Sequence, residues 1–269
     1  MQYALIRDFG SGLPLLLWAK QDINQRMPII FSDNLMAYAQ ILNVPFITNL
    51  PTIADIDLLV VGKTPKLGDY LAFILSVQKR RIEWNLFLDS WVDYKVNESL
   101  KPNSVWVTDS WAFELAKSIY KDEQICVIEN YLLSHVKKKC LPRNPSYLLY
   151  VASPPNHYSG RPIEMHGKEC ICQDINRIRL IMPNKKICIR LHPGYHRSPC
   201  EFQFLKENLG NTSDFHFSES IDFTQDLQNA EIVFGPISYL HYLAESIQIP
   251  GFSTTKPNPN WNGPQFRII

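Results

Sequence analysis

Short apolar runs alternate with longer stretches in which apolar residues recur three and four positions apart, and the alternation continues along almost the whole chain. Runs bounded by turn residues fit strands buried on both faces, and the periodic stretches fit the helices that cover them. Elements in that order predict a parallel sheet with helical layers. In the first half, strands are predicted at 3–8, 28–33, 45–49, 57–63, 84–91, 104–110 and 124–130. A Gly-containing turn and helix occupy 10–24, and further helices 34–43, 67–82 and 111–121.

The segment "LPRNPS" at 141–146 breaks the pattern with two prolines and no apolar periodicity, as a linker does. A second alternation follows: strands at 147–154, 185–193, 214–218, 231–236 and 250–254, with helices at 163–182, 201–210, 222–230 and 238–248. The tail from 256 onward, rich in Pro and Asn, reads as irregular. The predicted architecture is therefore α/β, with two Rossmann-like domains, 1–141 and 142–269, facing each other across a cleft. Ligands in such folds sit at the carboxyl ends of the strands.

Composition narrows the function classes. A chain of 269 residues with 45% apolar and 12% aromatic content has ample material for real cores. A formal net charge of +1 supplies no global field for a general nucleic-acid binder, so nucleic acid is not an expected partner. The six cysteines form no C-x-x-C pair, and Cys170-Ile-Cys172 is too tightly spaced for a zinc knuckle; reduced thiols are expected. The longest apolar run, "LPLLLWA" at 13–19, falls short of the roughly 20 residues that span a bilayer. No leader pattern opens the chain, so a cytosolic protein is expected.

Candidate chemistry collects where predicted strands end. After the first strand stand Asp8, Gly10, Ser11 and Gly12, a Gly-Ser-Gly turn whose backbone N–H groups, backed by a helix amino terminus, can face an anion or an acceptor. "FLDSWVDY" at 87–94 places Asp89 at a strand end with Trp91 and Tyr94 beyond it, rings and a carboxylate of the kind that hold sugars; an Asp cap and a core Trp is the competing reading. Asp109 is expected to cap a helix. In the second half, Ser153 ends the first strand, and Arg190 and His192 lie two apart, on one face of an extended strand end. Gly235 and Ser238 follow a later strand, with Ser238 either capping the next helix or presenting its hydroxyl to a phosphate. His192 and His196 are four apart, but Pro193 and Gly194 forbid the helix that would align them as zinc ligands. No D-x-D is read as a metal site, and no metal is expected.

These second-half residues carry a resemblance. Strand-R-x-H-P at Arg190, His192 and Pro193, followed by D-L-x-x-A-x-x-V-x-G-x-x-S at Asp226, Leu227, Ala230, Val233, Gly235 and Ser238, resembles the carboxyl half of bacterial surface-polysaccharide glycosyltransferases of the GT-B fold, the sialyltransferase-like and capsule types above all. About 50 residues carry it. It implies a nucleotide-sugar donor, CMP- or UDP-type, in the second half, with Arg190, His192, Gly235, Ser238 and Ser153 around it and His192 and Ser238 near its phosphate. It implies a glycan or glycolipid acceptor in the first half, touched by Gly10, Ser11, Gly12, Trp91 and Tyr94, and peripheral association with the inner membrane surface. Transfer would be metal-independent and without a cofactor. The general base is unplaced; Asp8 and Asp89 are the candidates by position, with His192 beside the leaving group. Two departures stand out, Leu243 where many GT-B chains have the ribose-binding glutamate, and Gln248 where they have glycine. Two other functions fit the same architecture: a nucleotide-sugar hydrolase or epimerase, and a catalytically degenerate binding subunit.

Overall fold

The computed structural model describes residues 1–7, 9–63, 70–89, 99–152, 167–192, 199–209, 214–256 and 263–269. The chain divides into two compact units, one built on Met1–His135 and one on Val136–Asn258 with Gln265–Ile269.

The first unit holds a six-stranded parallel sheet: β1 (Gln2–Ile6), β2 (Arg26–Ile30), β3 (Leu58–Gly62), β4 (Glu83–Phe87), β5 (Ser104–Val107) and β6 (Ile125–Val127), in the order β2-β1-β3-β4-β5-β6. Helices α1 (Phe9–Lys20), α2 (Asp33–Leu42), α3 (Tyr70–Lys79) and α4 (Ser110–Lys117) connect its strands. The central strands are apolar on both faces, as parallel strands under helices must be: Leu59, Val60 and Val61 on β3 are all buried.

Two expectations change here. The predicted strand at 45–49 is reduced to one isolated bridge, Ile47 to Ile29. "GSG" is no turn, because α1 already begins at Phe9 and runs through it. Two glycines cost a helix on the order of 1 kcal/mol each, and close packing explains why one of them stands there. A Cβ on Gly12 would lie 2.5 Å from Ile6 Cγ2 and 2.7 Å from Leu35 Cδ1, so only a bare backbone lets α1 settle onto β1 and α2.

The second unit repeats the plan. Helix α5 (Tyr131–Lys139) leads into β7 (Tyr147–Val151), α6 (Lys168–Ile181), β8 (Ile187–Arg190), α7 (Pro199–Leu209) and β9 (Phe215–Phe217). Then come α8 (Phe223–Asn229), β10 (Ala230–Gly235), α9 (Tyr239–Glu245), β11 (Gly251–Ser253) and β12 (Arg267–Ile268). The sheet order is β12-β11-β10-β7-β8-β9, all parallel, which is the doubly wound order of a dinucleotide-binding half read from β7 outward. Ile171, Ile175 and Ile178, one stripe of α6, bury against Leu148, Tyr150 and Ile189. β12 lies in the tail read as irregular; it is held by pairing Phe252 with Arg267 and Ser253 with Ile268.

Cys140 and Cys188 are buried thiols, both pushed up to about 12 by burial, and all six cysteines are free. Among the described residues, no helix is long and apolar enough to cross a membrane.

Candidate functional site

In sheet 2 the strand order reverses between β7 and β10, and open parallel sheets bind ligands just outside the carboxyl ends at such a point. β10 ends there on Gly235, at φ +137°, where a Cβ would lie 2.2 Å from the carbonyl oxygen of Val151. Only glycine lets β10 end this close to β7. Three residues on, Ser238 is the N-cap of α9. On the other flank of β7, Arg190 pairs with Val151 as the last residue of β8, and the half-buried His192 follows it. Gly235, Ser238, Arg190 and His192 therefore share the carboxyl edge of sheet 2.

Arg190 is bonded within its own unit. Its Nη1 donates to Asp226 Oδ2 at 2.5 Å and to the Ser220 carbonyl at 3.0 Å, and its Nη2 donates to the Ile221 carbonyl at 3.0 Å. Ser218 Oγ donates to both oxygens of the same carboxylate, at 2.9 and 2.7 Å. Side-chain exposures of 15% for Arg190 and 6% for Asp226 make this a buried pair. The guanidinium is engaged in tying β8 to the turn after β9 and to α8.

Of the two expectations for Ser238, capping is not met, since its hydroxyl makes no capping bond to α9. Its Oγ lies 3.1 Å from Nδ1 of His241, and Nε2 of that ring lies 3.2 Å from the Phe252 carbonyl. His241 is fully buried, and burial drives its pKa down to about 4, so the ring is neutral at physiological pH. Sequence reasoning passed over His241 as one more residue of a helix; the signal available was S-x-x-H, a capping-box spacing with His in place of Glu. Asp174 on α6 was missed too: Tyr150 Oη donates to it at 2.8 Å, and burial raises its pKa against the lowering effect of its hydrogen bonds and of Arg177.

The carboxyl edge of sheet 1 has a different character. Its order reverses between β1 and β3, where Gly62 makes room for Ser11: a Cβ there would lie 2.5 Å from Ser11 Oγ. Ser11 is fully buried and its Oγ donates to the Lys63 carbonyl at 3.2 Å. Ser11 and Gly12 are thus buried in packing contacts, and Gly10 alone of the three is exposed. Beyond the strand ends stand residues the sequence reading did not single out. The Phe31 ring stacks on Tyr70, centroids 4.5 Å apart, and the Arg7 guanidinium lies 5.4 Å from the Tyr70 centroid. Asp89 is half-buried two residues past β4, on the same edge. Asp109 caps α4 as expected, accepting from the Ala112 amide at 2.8 Å.

Asp8, Trp91, Tyr94 and Ser153 lie outside the described residues. Asp55-Ile56-Asp57 does have D-x-D spacing, but it precedes β3 at the amino edge of sheet 1, where Asp57 pairs with the terminal amine of Met1. Glu245 lies beside Gly251, the first residue of β11, and so at the amino edge, away from Ser238. Among the described residues, no three His, Cys, Asp or Glu side chains are grouped as metal ligands.

Solved structures resemble this chain over nearly its whole length. Staphylococcus aureus MnaA with UDP superposes with a TM-score of 0.67 at 11% identity, covering 94% of this chain and 79% of that one. The fold is of the GT-B type. A UDP-GlcNAc 2-epimerase from Methanocaldococcus jannaschii, in complex with UDP-GlcNAc and UDP, gives 0.63 at 16% identity, covering 94% and 83%. A glycosyltransferase from Rickettsia africae gives 0.55 at 10% identity, covering 94% and 78%. No protein-family model matches the sequence, and no curated protein does. GT-B architecture is therefore carried here by topology and close-packed glycines, with little of the sequence shared.

Proposed function

We propose that the chain is a nucleotide-sugar-using enzyme that binds its nucleotide-sugar, of UDP type, at the carboxyl edge of sheet 2 and transfers the sugar to a glycan or glycolipid acceptor held by the first unit. The observation that carries this reading is the reversal point of sheet 2. There a glycine at φ +137° clears the backbone between β7 and β10, and His192 and Ser238 stand on its two flanks. The S. aureus and M. jannaschii neighbours, solved with UDP or UDP-GlcNAc, support the choice of nucleotide.

In this scheme His192 contacts the leaving diphosphate, where a cationic or hydrogen-bonding imidazole offsets the charge that develops as the glycosidic bond breaks. Arg190 holds the end of β8 in place through Asp226. Asp89 is the base candidate with a described position. Transfer proceeds without a divalent cation. The acceptor meets Tyr70, Phe31 and Arg7, a stacked pair with a guanidinium beside it, suited to a sugar face that carries an acidic group. A sialyltransferase-like or capsule-type enzyme, working in surface-polysaccharide or lipooligosaccharide synthesis at the inner membrane surface, is the finer form of this proposal.

Epimerisation is the second reading, favoured by one observation: the M. jannaschii epimerase superposes better than the R. africae glycosyltransferase, 0.63 against 0.55. Incubation with UDP-GlcNAc alone separates the two. A transferase leaves the nucleotide-sugar intact until a glycan acceptor is added, whereas an epimer formed without acceptor establishes the second reading.

A further inference from the structure

We infer that His241 fixes the hydroxyl proton of Ser238 and thereby turns Ser238 Oγ into a hydrogen-bond acceptor at the carboxyl edge of sheet 2, where it selects a hydroxyl of the nucleotide-sugar over the oxygens of its diphosphate. The inference rests on the nucleotide-sugar reading above and assigns His241 as a positioning residue.

The hydrogen-bond directions are forced one after another. A carbonyl oxygen can only accept, so the 3.2 Å contact with Phe252 requires the proton on Nε2 of His241. A neutral ring with its proton on Nε2 presents a bare lone pair at Nδ1. Ser238 Oγ, 3.1 Å away, must then donate its single proton to that lone pair. The ring cannot escape by taking a second proton, because it is fully buried and, among the described residues, no carboxylate bonds to it. For the same reason it cannot act as the base that would make Ser238 a nucleophile, since it would have to carry an imidazolium in the core.

What remains to Ser238 is two oxygen lone pairs at a half-buried position beside Gly235. Phosphate oxygens, lone pairs themselves, find no proton there unless the bond to His241 breaks. A sugar hydroxyl supplies the missing proton without disturbing the ring. The geometry thus leaves Ser238 Oγ an acceptor, where a phosphate oxygen would need a donor.

The test is ring nitrogen NMR on the full chain, free and saturated with UDP-GlcNAc, with Ser238→Ala as reference and calorimetry alongside. The expected spectrum has the proton on Nε2 of His241 and a hydrogen-bonded Nδ1, unchanged when UDP-GlcNAc binds. Ser238→Ala shifts Nδ1 and weakens UDP-GlcNAc by about three- to tenfold, one net hydrogen bond. A proton on Nδ1 overturns the inference. So does an Nδ1 resonance that moves to its Ser238→Ala position on binding, which would mean that the hydroxyl has swung to the ligand. Unchanged affinity in Ser238→Ala overturns it as well. Absence of any UDP-GlcNAc binding to the wild-type chain contradicts the nucleotide-sugar reading and the selection built on it, while the free-chain spectrum still reports where the ring proton sits.

Discussion

At the reversal point of sheet 1, Gly62 admits the side chain of Ser11, whose hydroxyl is fully buried and bonded to the Lys63 carbonyl. At that of sheet 2, Gly235 admits the backbone of Val151 itself, and the polar groups around it form two linked sets: Ser238 with His241, and Arg190 with Asp226 and Ser218. The same doubly wound plan is closed by a buried side chain at one switch point and flanked by polar networks at the other. The difference bears on the proposal above: the first unit would offer a ligand Arg7, Phe31 and Tyr70, which stand beyond its strand ends, while the second would take a ligand at the strand ends themselves.

Substitutions sharpen the contrast. Gly235→Ala is expected to cost the most, about 4 kcal/mol, because a Cβ there meets both an unfavourable φ and a main-chain oxygen that cannot move aside; chemical denaturation measures it. Gly62→Ala meets only the side chains of Ser11 and Leu15 and should cost about 1–2 kcal/mol. Equal losses would erase the distinction between the two switch points. Asp226→Ala strands the Arg190 guanidinium and is expected to cost about 3 kcal/mol, the low end for a broken buried pair since Arg190 keeps some exposure.

His241 makes the second unit acid-sensitive. Its folded pKa of about 4 lies below the unfolded value near 6.5, so the unfolded chain binds its proton first. The contribution is complete above about pH 6.5 and is lost as pH falls toward 4, about 3 kcal/mol in all. Denaturation midpoints of wild type and His241→Leu across this range check it: the wild type should show the loss and the variant should lack that component. Ser11→Ala is the smallest change expected, about 1 kcal/mol for one hydrogen bond, with no effect on ligand affinity.

The strand pattern and the two-unit plan were legible because parallel strands buried on both faces are apolar along their length, as Leu58–Gly62 and Tyr147–Val151 are. Local propensity misled where tertiary packing overruled it. Gly10 and Gly12 look like a turn until Ile6 and Leu35 are seen to press on the helix. Arg190 was recognisable as a cation at a strand end, but its partner Asp226 lies 36 residues away, beyond any local pattern. The Phe31–Tyr70 stack with Arg7 joins the residues just after β1 and β2 to the first residue of α3, so no single stretch of sequence announces it.

The central claim is that the carboxyl edge of sheet 2 binds a nucleotide-sugar through His192. Calorimetric titration of the wild-type chain and of His192→Ala with UDP-GlcNAc tests it most directly. Saturable binding that weakens by about tenfold or more in His192→Ala, at an unchanged melting temperature, is the predicted result. Equal affinity of the two proteins, or no binding to either, would contradict it.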